Sequence, residues 1–340
     1  MNFDNCVNLL EHQSGLRLEE PIEGPVAWRR GDIGEADWKL PIPGAAVEEI
    51  ERIVDELRRQ PLPLYMLAPE HFQVAACTEL MKEVKRRLTE GIGFVLLEGF
   101  PLKSPALGDL ELDEVKAAYW VLARLLAPPV AAKLDGTVLY DIKDFGEAYR
   151  IGVRGSHTDK ELEFHTDNTF AHAPPDFISL LCLHQAEEGG VSRIASFCNL
   201  HNELLAGQPE HLNRLYEPFY YDRQMEHHQG EARVSISRAF DYNGDYLRGR
   251  LSYNVMLQGY ELMGEQMDPA GREALDSAYA IIDDPSRWVE HTLQRGQIQF
   301  VNNRALAHAR TGFADTGGAP SKRHLLRFWY RESGRPFFNG

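Results

Sequence analysis

Apolar and polar residues alternate with helical spacing in three segments of the chain. Residues 70–90 place apolar side chains three or four positions apart and are followed by Gly91, which predicts a helix that stops there. Its apolar positions are Cys77, Leu80, Met81, Val84 and Leu88. Residues 112–126 predict a second helix. Asp268-Pro269 predicts the start of a third that runs towards Ile282, because Asp is a frequent N-cap and Pro suits the first helical position.

Shorter segments alternate with the period of two that is typical of strands. They are rich in Ile, Phe and Val and lie at 177–183, 191–197, 233–238, 296–301 and 323–330. Residues 93–98 form an apolar run that predicts a further, buried strand. Together these patterns predict an α+β, mainly β protein: a double-stranded β-helix, or jelly roll, with helices packed outside it.

A His-x-Asp motif lies in the strand-like segment 161–167. Side chains of a strand switch face at every residue, so His165 and Asp167 would project together from the face opposite Leu162 and Phe164. With a third ligand from a distant strand, they would form the facial triad of two histidines and one carboxylate that is typical of non-haem Fe(II) oxygenases. His308 follows a strand and a turn at 296–303, and it is our candidate for that ligand.

Two other motifs have similar spacing, His157-Thr158-Asp159 and His201-Asn202-Glu203. The first lies in a loop-like stretch without apolar alternation. The second predicts the first turn of a helix, with Asn199 as its cap and His201 on its surface. We therefore prefer His165 and Asp167 as ligands.

The distance between the candidate ligands bears on the domain organisation. A chain of 340 residues can form one large or two average domains, but 141 residues separate Asp167 from His308. One core has to close across that span. We therefore predict a single catalytic domain over residues 1–340, with strands and helices at about 1–90 and a jelly roll with a helical insertion at 91–331.

Arginine recurs at every fourth position from residue 323 to residue 331. In a strand, one face would carry Arg323, Leu325, Arg327, Trp329 and Arg331. Arginines on an inward face need anions, and a guanidinium binds a carboxylate through two parallel hydrogen bonds. The alternative is an edge strand whose basic face is solvated.

These motifs, in this order, resemble the taurine dioxygenase/TfdA-like family of Fe(II)/2-oxoglutarate-dependent oxygenases, within the clavaminate synthase-like superfamily. The resemblance covers roughly residues 90–331 and rests on patches at 164–167, 186–192, 300–308 and 323–327. It implies that His165, Asp167 and His308 hold Fe(2+). It also implies that Ser192 and Arg323 bind the distal carboxylate of 2-oxoglutarate and that Arg327 faces the substrate side or the keto-acid end. Ser192 stands where the family often has threonine, which keeps the hydroxyl group.

The reaction implied by the resemblance is oxidation of a small-molecule C–H bond by O2, with decarboxylation of 2-oxoglutarate to succinate. Related halogenases have alanine or glycine at the position of Asp167, so the carboxylate favours hydroxylation, desaturation or cyclisation. We predict an anionic substrate, a carboxylate, sulfonate or phosphonate bound by Arg327, because one 2-oxoglutarate cannot neutralise two arginines. A protein carboxylate is the alternative partner.

Three loops are expected to supply the substrate pocket, at 140–160, 168–176 and 222–260, and nothing in them identifies the molecule. Residues 168–176 contain Pro174-Pro175 and predict a surface loop, with a substrate contact by His172 as the alternative.

Composition excludes some partners. A net charge of -15 argues against nucleic acid, whose phosphates need a basic surface. Neither a signal peptide nor an apolar run of membrane-spanning length occurs. The cysteines, Cys6, Cys77, Cys182 and Cys198, form no C-x-x-C motif, which predicts reduced thiols in a cytoplasmic protein. A homo-oligomer is left open.

Two other functions are compatible with the ligand set. A non-catalytic jelly-roll protein could hold a structural Zn with the same three residues, but it would have no reason to keep Ser192 and Arg323 as a 2-oxoglutarate clamp. A metal-dependent hydrolase would need a general base, for which the sequence has no motif.

Overall fold

The computed structural model describes residues 5–143, 159–315 and 322–340. Within these ranges the chain forms eight α-helices and twenty strands. The helices are α1 (Glu35–Trp38), α2 (Gly44–Arg59), α3 (Ala75–Thr89), α4 (Leu112–Arg124), α5 (Phe197–Gly207), α6 (Pro209–Leu215), α7 (Tyr253–Met263) and α8 (Pro269–Ile282).

The strands of the first half are β1 (Cys6–Asn8), β2 (Lys39–Pro41), β3 (Phe94–Glu98), β4 (Lys103–Ser104), β5 (Gly108–Asp109), β6 (Pro129–Val130), β7 (Tyr140–Lys143), β8 (Leu162–His165), β9 (Phe177–His184) and β10 (Glu188–Gly189). Those of the second half are β11 (Ser192–Ser196), β12 (Pro218–Asp222), β13 (Val234–Arg238), β14 (Phe240–Tyr242), β15 (Leu247–Gly249), β16 (Trp288–His291), β17 (Ile298–Asn302), β18 (Leu306–Arg310), β19 (Phe313–Ala314) and β20 (His324–Tyr330). The protein is thus a mixed α/β structure.

The three helices predicted from periodicity are present as α3, α4 and α8. Helix α3 begins at Ala75 instead of near Glu70, because residues 69–71 form a separate 3-10 turn. Helix α8 begins at Pro269, and the Asp268 carboxylate accepts a hydrogen bond from the Gly271 amide at 2.8 Å, as expected of an N-cap.

Helix α5 differs from its prediction. It begins at Phe197, and its cap is the Ser196 hydroxyl, which accepts a hydrogen bond from the Asn199 amide at 3.0 Å. Asn199 therefore lies inside the helix and is not its cap. His201 is completely buried, so its predicted position on the helix surface is also wrong.

Two sheets carry the residues of interest. A seven-stranded sheet has the order β2-β3-β17-β9-β20-β6, with β7 also paired to β20. A four-stranded sheet has the order β16-β11-β18-β8. Strand β20 is buried along its whole length and pairs with β9 on one side and with β6 and β7 on the other. The edge-strand alternative for this segment is therefore wrong.

The seven-stranded sheet separates two hydrophobic cores by the alternation of its side chains. Phe94 and Leu96 of β3 belong to a core shared with the four-stranded sheet, which contributes Ile194. Val95 and Leu97 point the other way, into a core with α2, α3 and α4. The inner faces of the two sheets thus face each other, and side chains from both can meet between them.

The cysteines and the helices bear on two predictions from the sequence. All four cysteines lie in the described ranges and are free thiols, as predicted. Among the described residues, no helix combines the length and the apolar character needed to cross a bilayer.

Candidate metal centre and its two pockets

Three predicted ligands lie together between the sheets. His165 ends β8 and His308 lies opposite it on the neighbouring strand β18, so their rings are 4.4 Å apart between centroids. Oδ1 of Asp167 is 3.7 Å from Nε2 of His165 and 3.6 Å from Nε2 of His308. All three candidate ligand atoms lie within 4.8 Å of one another, and this is the one cluster of that kind among the described residues.

The position of Asp167 has a different cause from the one predicted. Strand β8 ends at His165, so Asp167 does not share a strand face with it. The side chain of Asn303, fully buried, fixes the Asp167 backbone instead. Its Oδ1 accepts from the Asp167 amide at 2.8 Å, and its Nδ2 donates to the carbonyls of Asp167 and Pro175, both at 3.1 Å.

Each oxygen of the Asp167 carboxylate has its own environment. Oδ1 faces the two imidazoles, whereas Oδ2 accepts hydrogen bonds from Nη1 of Arg327 at 3.0 Å and from Nε1 of Trp329 at 2.7 Å. Burial alone raises the pKa of this carboxyl, but the Arg327 cation and the two imidazoles hold the pKa well below its usual range. Asp167 is therefore an anion with one oxygen presented to the cluster.

The pKa values of the two histidines are shifted in opposite directions. Burial and the neighbouring His165 ring lower the pKa of His308. Burial also opposes protonation of His165, but hydrogen bonding and attraction to Asp167 outweigh it and raise its pKa. Nδ1 of His165 lies 2.8 Å from the carbonyl of Glu163, so an Nδ1–H donates there and leaves the Nε2 lone pair for the cluster.

Two pockets meet at this cluster. Both are lined by Leu162, His165, Asp167 and Arg327. We call the first the clamp pocket, because it also contains Ser192, Gln299 and Arg323. We call the second the outer pocket; its further polar lining residues are Glu161, Glu163, Thr166, Asn168, Thr169, Gln224, Ser252 and Asn254.

The predicted carboxylate clamp lies in the clamp pocket. Ser192 is on β11 and donates its hydroxyl hydrogen to Oε1 of Gln299 at 2.8 Å. Arg323 is 8% exposed, and its guanidinium lies over the Phe313 ring at 5.0 Å. Burial lowers its pKa to about 10, and no carboxylate in the described parts of the chain forms an ion pair with it. A buried cation in this environment favours binding of an anion.

Positions 189 and 190, at the same pocket, require glycine because of their backbone conformation. Gly189 has φ +75°, and a Cβ there would lie 2.1 Å from the carbonyl oxygen of Gly312. Gly190 has φ +67°, and its Cβ would approach Nε of Arg323 at 3.4 Å. Glycine at both positions allows the turn that brings Ser192 beside Arg323.

Arg327 is inward-facing, as predicted, but its partner is Asp167. The alternative of a protein carboxylate is thus the one that the structure contains. Arg331, on the same predicted face, lies outside both pockets and donates to the carbonyls of Ala173, Arg335, Phe337 and Phe338.

The segment after His165 and Asp167 is not a surface loop. Pro174 and Pro175 are buried, which corrects that prediction. Nη1 of Arg250 donates to the carbonyls of Thr169 and Ala171 at 3.1 and 2.6 Å and holds the segment against the outer pocket. His172 is exposed and does not line the pocket, so a substrate contact by this residue is not supported.

Of the two competing motifs, the one at His201 forms no metal cluster among the described residues. His157 and Thr158 lie outside the described residues. His201 packs edge-on against Tyr216 and Phe240, and Glu203 pairs with Arg287 at 2.6 Å.

The contacts of Trp329 and Asn303 with Asp167, and of Gln299 with Ser192, were not predicted from the sequence. Trp329 carried a signal, since it lies two residues after Arg327 on the same strand face. Gln299 also carried one, as a polar residue between the apolar Ile298 and Phe300. Asn303 was assigned only to a turn, and its contact with Asp167 has no local signature.

The chain is similar to several known proteins. The chain is 28% identical over 328 residues to FR-33289 synthase of Streptomyces rubellomurinus, with 94% of this chain and 93% of that protein covered. Its fold is similar to asparagine oxygenase in complex with Fe(II), 2S,3S-3-hydroxyasparagine and succinate, with a TM-score of 0.67, 19% identity and coverage of 87% and 94%. It is also similar to the non-haem iron oxygenase OrfP in complex with Fe and alpha-ketoglutaric acid, with a TM-score of 0.63, 18% identity and the same coverage.

The sequence profile described as "Taurine catabolism dioxygenase TauD, TfdA family" matches residues 58–329. This span includes both strands that carry the histidines and most of the strand that carries the arginines. The chain therefore belongs to the TauD/TfdA family of dioxygenases.

Proposed function

We propose that the protein is an Fe(II)/2-oxoglutarate-dependent oxygenase that hydroxylates, or otherwise oxidises, an aliphatic C–H bond of a small molecule. In this reaction O2 is the oxidant and 2-oxoglutarate is decarboxylated to succinate. The observation that carries the proposal is the position of His165, Asp167 and His308 at the junction of two pockets, one of which contains a buried arginine. OrfP and asparagine oxygenase, which share the fold, were solved with iron and with alpha-ketoglutaric acid or succinate.

The three residues fit a divalent first-row metal. Nitrogen and carboxylate ligands lie about 2.0–2.2 Å from such an ion, so two adjacent ligand atoms are roughly 3.0 Å apart and two opposite ones roughly 4.4 Å apart. The Oδ1–Nε2 distances of 3.7 and 3.6 Å lie between these values, and all three ligand atoms are within 4.8 Å of one another. Two histidines and one carboxylate are the donor set of non-haem Fe(II) oxygenases. When bound, the iron supplies the oxygen chemistry; the residues position the reactants.

The clamp pocket is the proposed site of 2-oxoglutarate. Arg323 would bind the distal carboxylate through charge and paired hydrogen bonds, and the Ser192 hydroxyl would add a third donor. Support comes from the burial of Arg323 without an ion-pair partner among the described residues and from Ser192 lining the same pocket. The keto-acid end would then lie towards the metal cluster.

The outer pocket is the proposed substrate site. Its lining combines hydroxyl and amide groups with the carboxyl groups of Glu161 and Glu163, and Arg327 reaches it from the metal cluster. An anionic substrate is part of the proposal. A guanidinium carries five N–H donors, so Arg327 could bind Asp167 and a ligand anion together. Hydroxylation, desaturation and cyclisation would all use this arrangement.

The fold part of the proposal is a single catalytic domain over residues 1–340 with a jelly-roll core. It is supported by the facing four-stranded and seven-stranded sheets and by the metal cluster between them. Helices α2, α3 and α4 would then cover the outer face of the larger sheet.

A non-catalytic protein with structural Zn on the same ligands is the alternative. The burial of Arg323 in a pocket that opens onto the cluster argues against it, since a structural metal does not need that cation.

The test is anaerobic titration of the protein with Fe(II) and then 2-oxoglutarate, followed by visible absorption. The proposal predicts a metal-to-ligand charge-transfer band that candidate substrates perturb, and substrate-dependent succinate once O2 is added. A protein that binds Zn but shows no band with Fe(II) and 2-oxoglutarate would support the alternative.

A further inference from the structure

The only described partner of the Ser192 hydroxyl is the side chain of Gln299. Gln299 lies on β17 of the seven-stranded sheet and Ser192 on β11 of the four-stranded sheet, so their 2.8 Å hydrogen bond crosses the space between the sheets. Gln299 is 1% exposed and both residues line the clamp pocket. The Ser192 hydrogen bond thus joins the two sheets inside the clamp pocket.

The direction of this hydrogen bond matters for an anionic ligand. In the structure the Ser192 hydroxyl donates to Oε1 of Gln299. A hydroxyl has one hydrogen, and an ionised carboxylate can only accept. A carboxylate in the clamp pocket would therefore compete with Gln299 for the same hydrogen.

Rotation of the Gln299 side-chain amide removes this competition for the hydroxyl hydrogen. The terminal torsion of glutamine is broad and roughly two-fold, so exchange of Oε1 and Nε2 keeps the rest of the side chain in place. Nε2 would then donate to the Ser192 oxygen, and the hydroxyl hydrogen would be directed to the ligand carboxylate. The Gln299 Nε2, the Ser192 hydroxyl and the ligand carboxylate would then each have a partner of the correct polarity.

His291 is suited to accompany that turn. It lies opposite Ser192 on the adjacent strand β16, so both side chains are on the same face of the sheet. Burial lowers its pKa to about 4, against an opposing contact with the Gln299 amide, so the ring is neutral at neutral pH. The contact does not have the geometry of a hydrogen bond, since both ring nitrogens lack a hydrogen-bond partner among the described residues. A neutral imidazole has one donor and one acceptor and can serve either orientation of the amide.

We propose that Gln299 is a positioning residue for the cosubstrate: binding of a distal carboxylate turns its amide from acceptor to donor and thereby directs the Ser192 hydroxyl to that carboxylate. The inference rests on the proposed function, because it assumes that the ligand of the clamp pocket is 2-oxoglutarate. Gln299 acts through Ser192 and does not need to touch the ligand.

The experiment is calorimetric titration of the Fe(II)-loaded protein, without O2, with 2-oxoglutarate and with 2-oxovalerate. The second keto acid has the same keto-acid end but lacks the distal carboxylate. Gln299→Met removes the amide at similar volume and should raise the Kd for 2-oxoglutarate about five- to tenfold, the scale of one net hydrogen bond. Its Kd for 2-oxovalerate should not change. Gln297→Met, two residues earlier and outside the pocket, is the matched control.

A double-mutant cycle identifies the route of the effect. In the Ser192→Ala background, Gln299→Met should have no further effect on 2-oxoglutarate binding. An equal effect in both backgrounds, an unchanged Kd in the single variant, or equal weakening of both keto acids would overturn the inference. Thermal melting of each variant checks that it is folded. Gln299→Glu, which keeps an acceptor but has no amide donor, is the second variant and should weaken 2-oxoglutarate binding if Met is not tolerated. A wild-type protein that binds no 2-oxoglutarate would contradict the proposed function itself.

Discussion

Nη1 of Arg327 donates to Oδ2 of Asp167 at 3.0 Å and joins two residues that are 160 positions apart in the chain. Because Trp329 also donates to Oδ2, only Oδ1 of this carboxylate faces the two histidines. The pair therefore holds the proposed ligand in an orientation that suits single-oxygen binding of a metal. Arg327 therefore holds the Asp167 carboxylate of the candidate metal centre in place.

Arg327→Gln should weaken Fe(II) binding about tenfold to a hundredfold in the absence of substrate, as is usual when the hydrogen-bond partner of a ligand is lost. Calorimetry with Fe(II) measures this under anaerobic conditions. Arg335→Gln changes an exposed arginine and should leave the affinity unchanged. If Fe(II) affinity is retained and only the KM for an anionic substrate rises, Arg327 is a substrate residue and not a support for Asp167.

Removal of either histidine should abolish metal binding and succinate formation. His165→Ala and His308→Ala each leave two ligands, which hold a divalent ion poorly. Metal content after dialysis against Fe(II) and substrate-dependent succinate release are the measurements. His172→Ala is the control, because this histidine is exposed and outside both pockets. Full activity in either ligand variant would show that the cluster is not the metal site.

Arg323→Leu should raise the 2-oxoglutarate Kd by more than about thirtyfold. Loss of one partner of a desolvated charge pair typically costs about 2–5 kcal/mol. Ser192→Ala should cost less, about 1 kcal/mol for one hydrogen bond. Titration of the charge-transfer band gives both values, with Arg193→Leu as a control on the same strand outside the pocket. Unchanged 2-oxoglutarate binding in Arg323→Leu would remove the clamp from the proposal.

Asn303→Ala should lower both stability and metal affinity. It leaves the Asp167 amide and two carbonyls without their partner, and we expect a loss of about 2–4 kcal/mol in the free energy of unfolding. Urea denaturation measures it. Asn302→Ala is a matched control, since Asn302 bonds to the Leu88 carbonyl and to the Arg304 and Ala305 amides. It should destabilise the protein without changing its affinity for Fe(II); equal affinities in both variants would contradict the role of Asn303.

His291 should make the protein less stable towards acid. Its pKa is about 4 in the folded state and about 6.5 when the ring is in water. Between these values the unfolded chain binds a proton that the folded chain does not, so stability falls as the pH falls from 6.5 to 4, by at most about 3 kcal/mol. His291→Phe should lack this contribution, while the other histidines titrate equally in both proteins. Parallel curves of unfolding free energy against pH would contradict the prediction.

Local patterns were sufficient for much of the fold. The spacing of Cys77, Leu80, Met81, Val84 and Leu88 predicted α3, and Asp268-Pro269 predicted the start of α8, because periodicity and capping are properties of neighbouring residues. The burial of His201 was not predictable in this way. The helix was foreseen, but the face that packs against Tyr216 and Phe240 is decided by tertiary structure.

In the candidate site, too, some features follow from the local sequence and others depend on tertiary contacts. Motif spacing brought together His165, Asp167 and His308, and alternation placed Arg323 and Arg327 on an inward face. The partner of Arg327 was not predictable, because it depends on how closely β20 approaches the end of β8 from the opposite sheet. The fixation of Asp167 by Asn303 likewise joins residues 136 positions apart.

The central position of β20 has a consequence for the order of events during synthesis. His165 and Asp167 leave the ribosome about 160 residues before Arg327 and Trp329. Until that last strand arrives, Asp167 lacks both donors to Oδ2, and β9 has an open edge along its full length. A nascent chain would therefore need shielding of that edge from other chains. Iron should therefore bind more weakly before the strand has inserted between β9 and β7 than after.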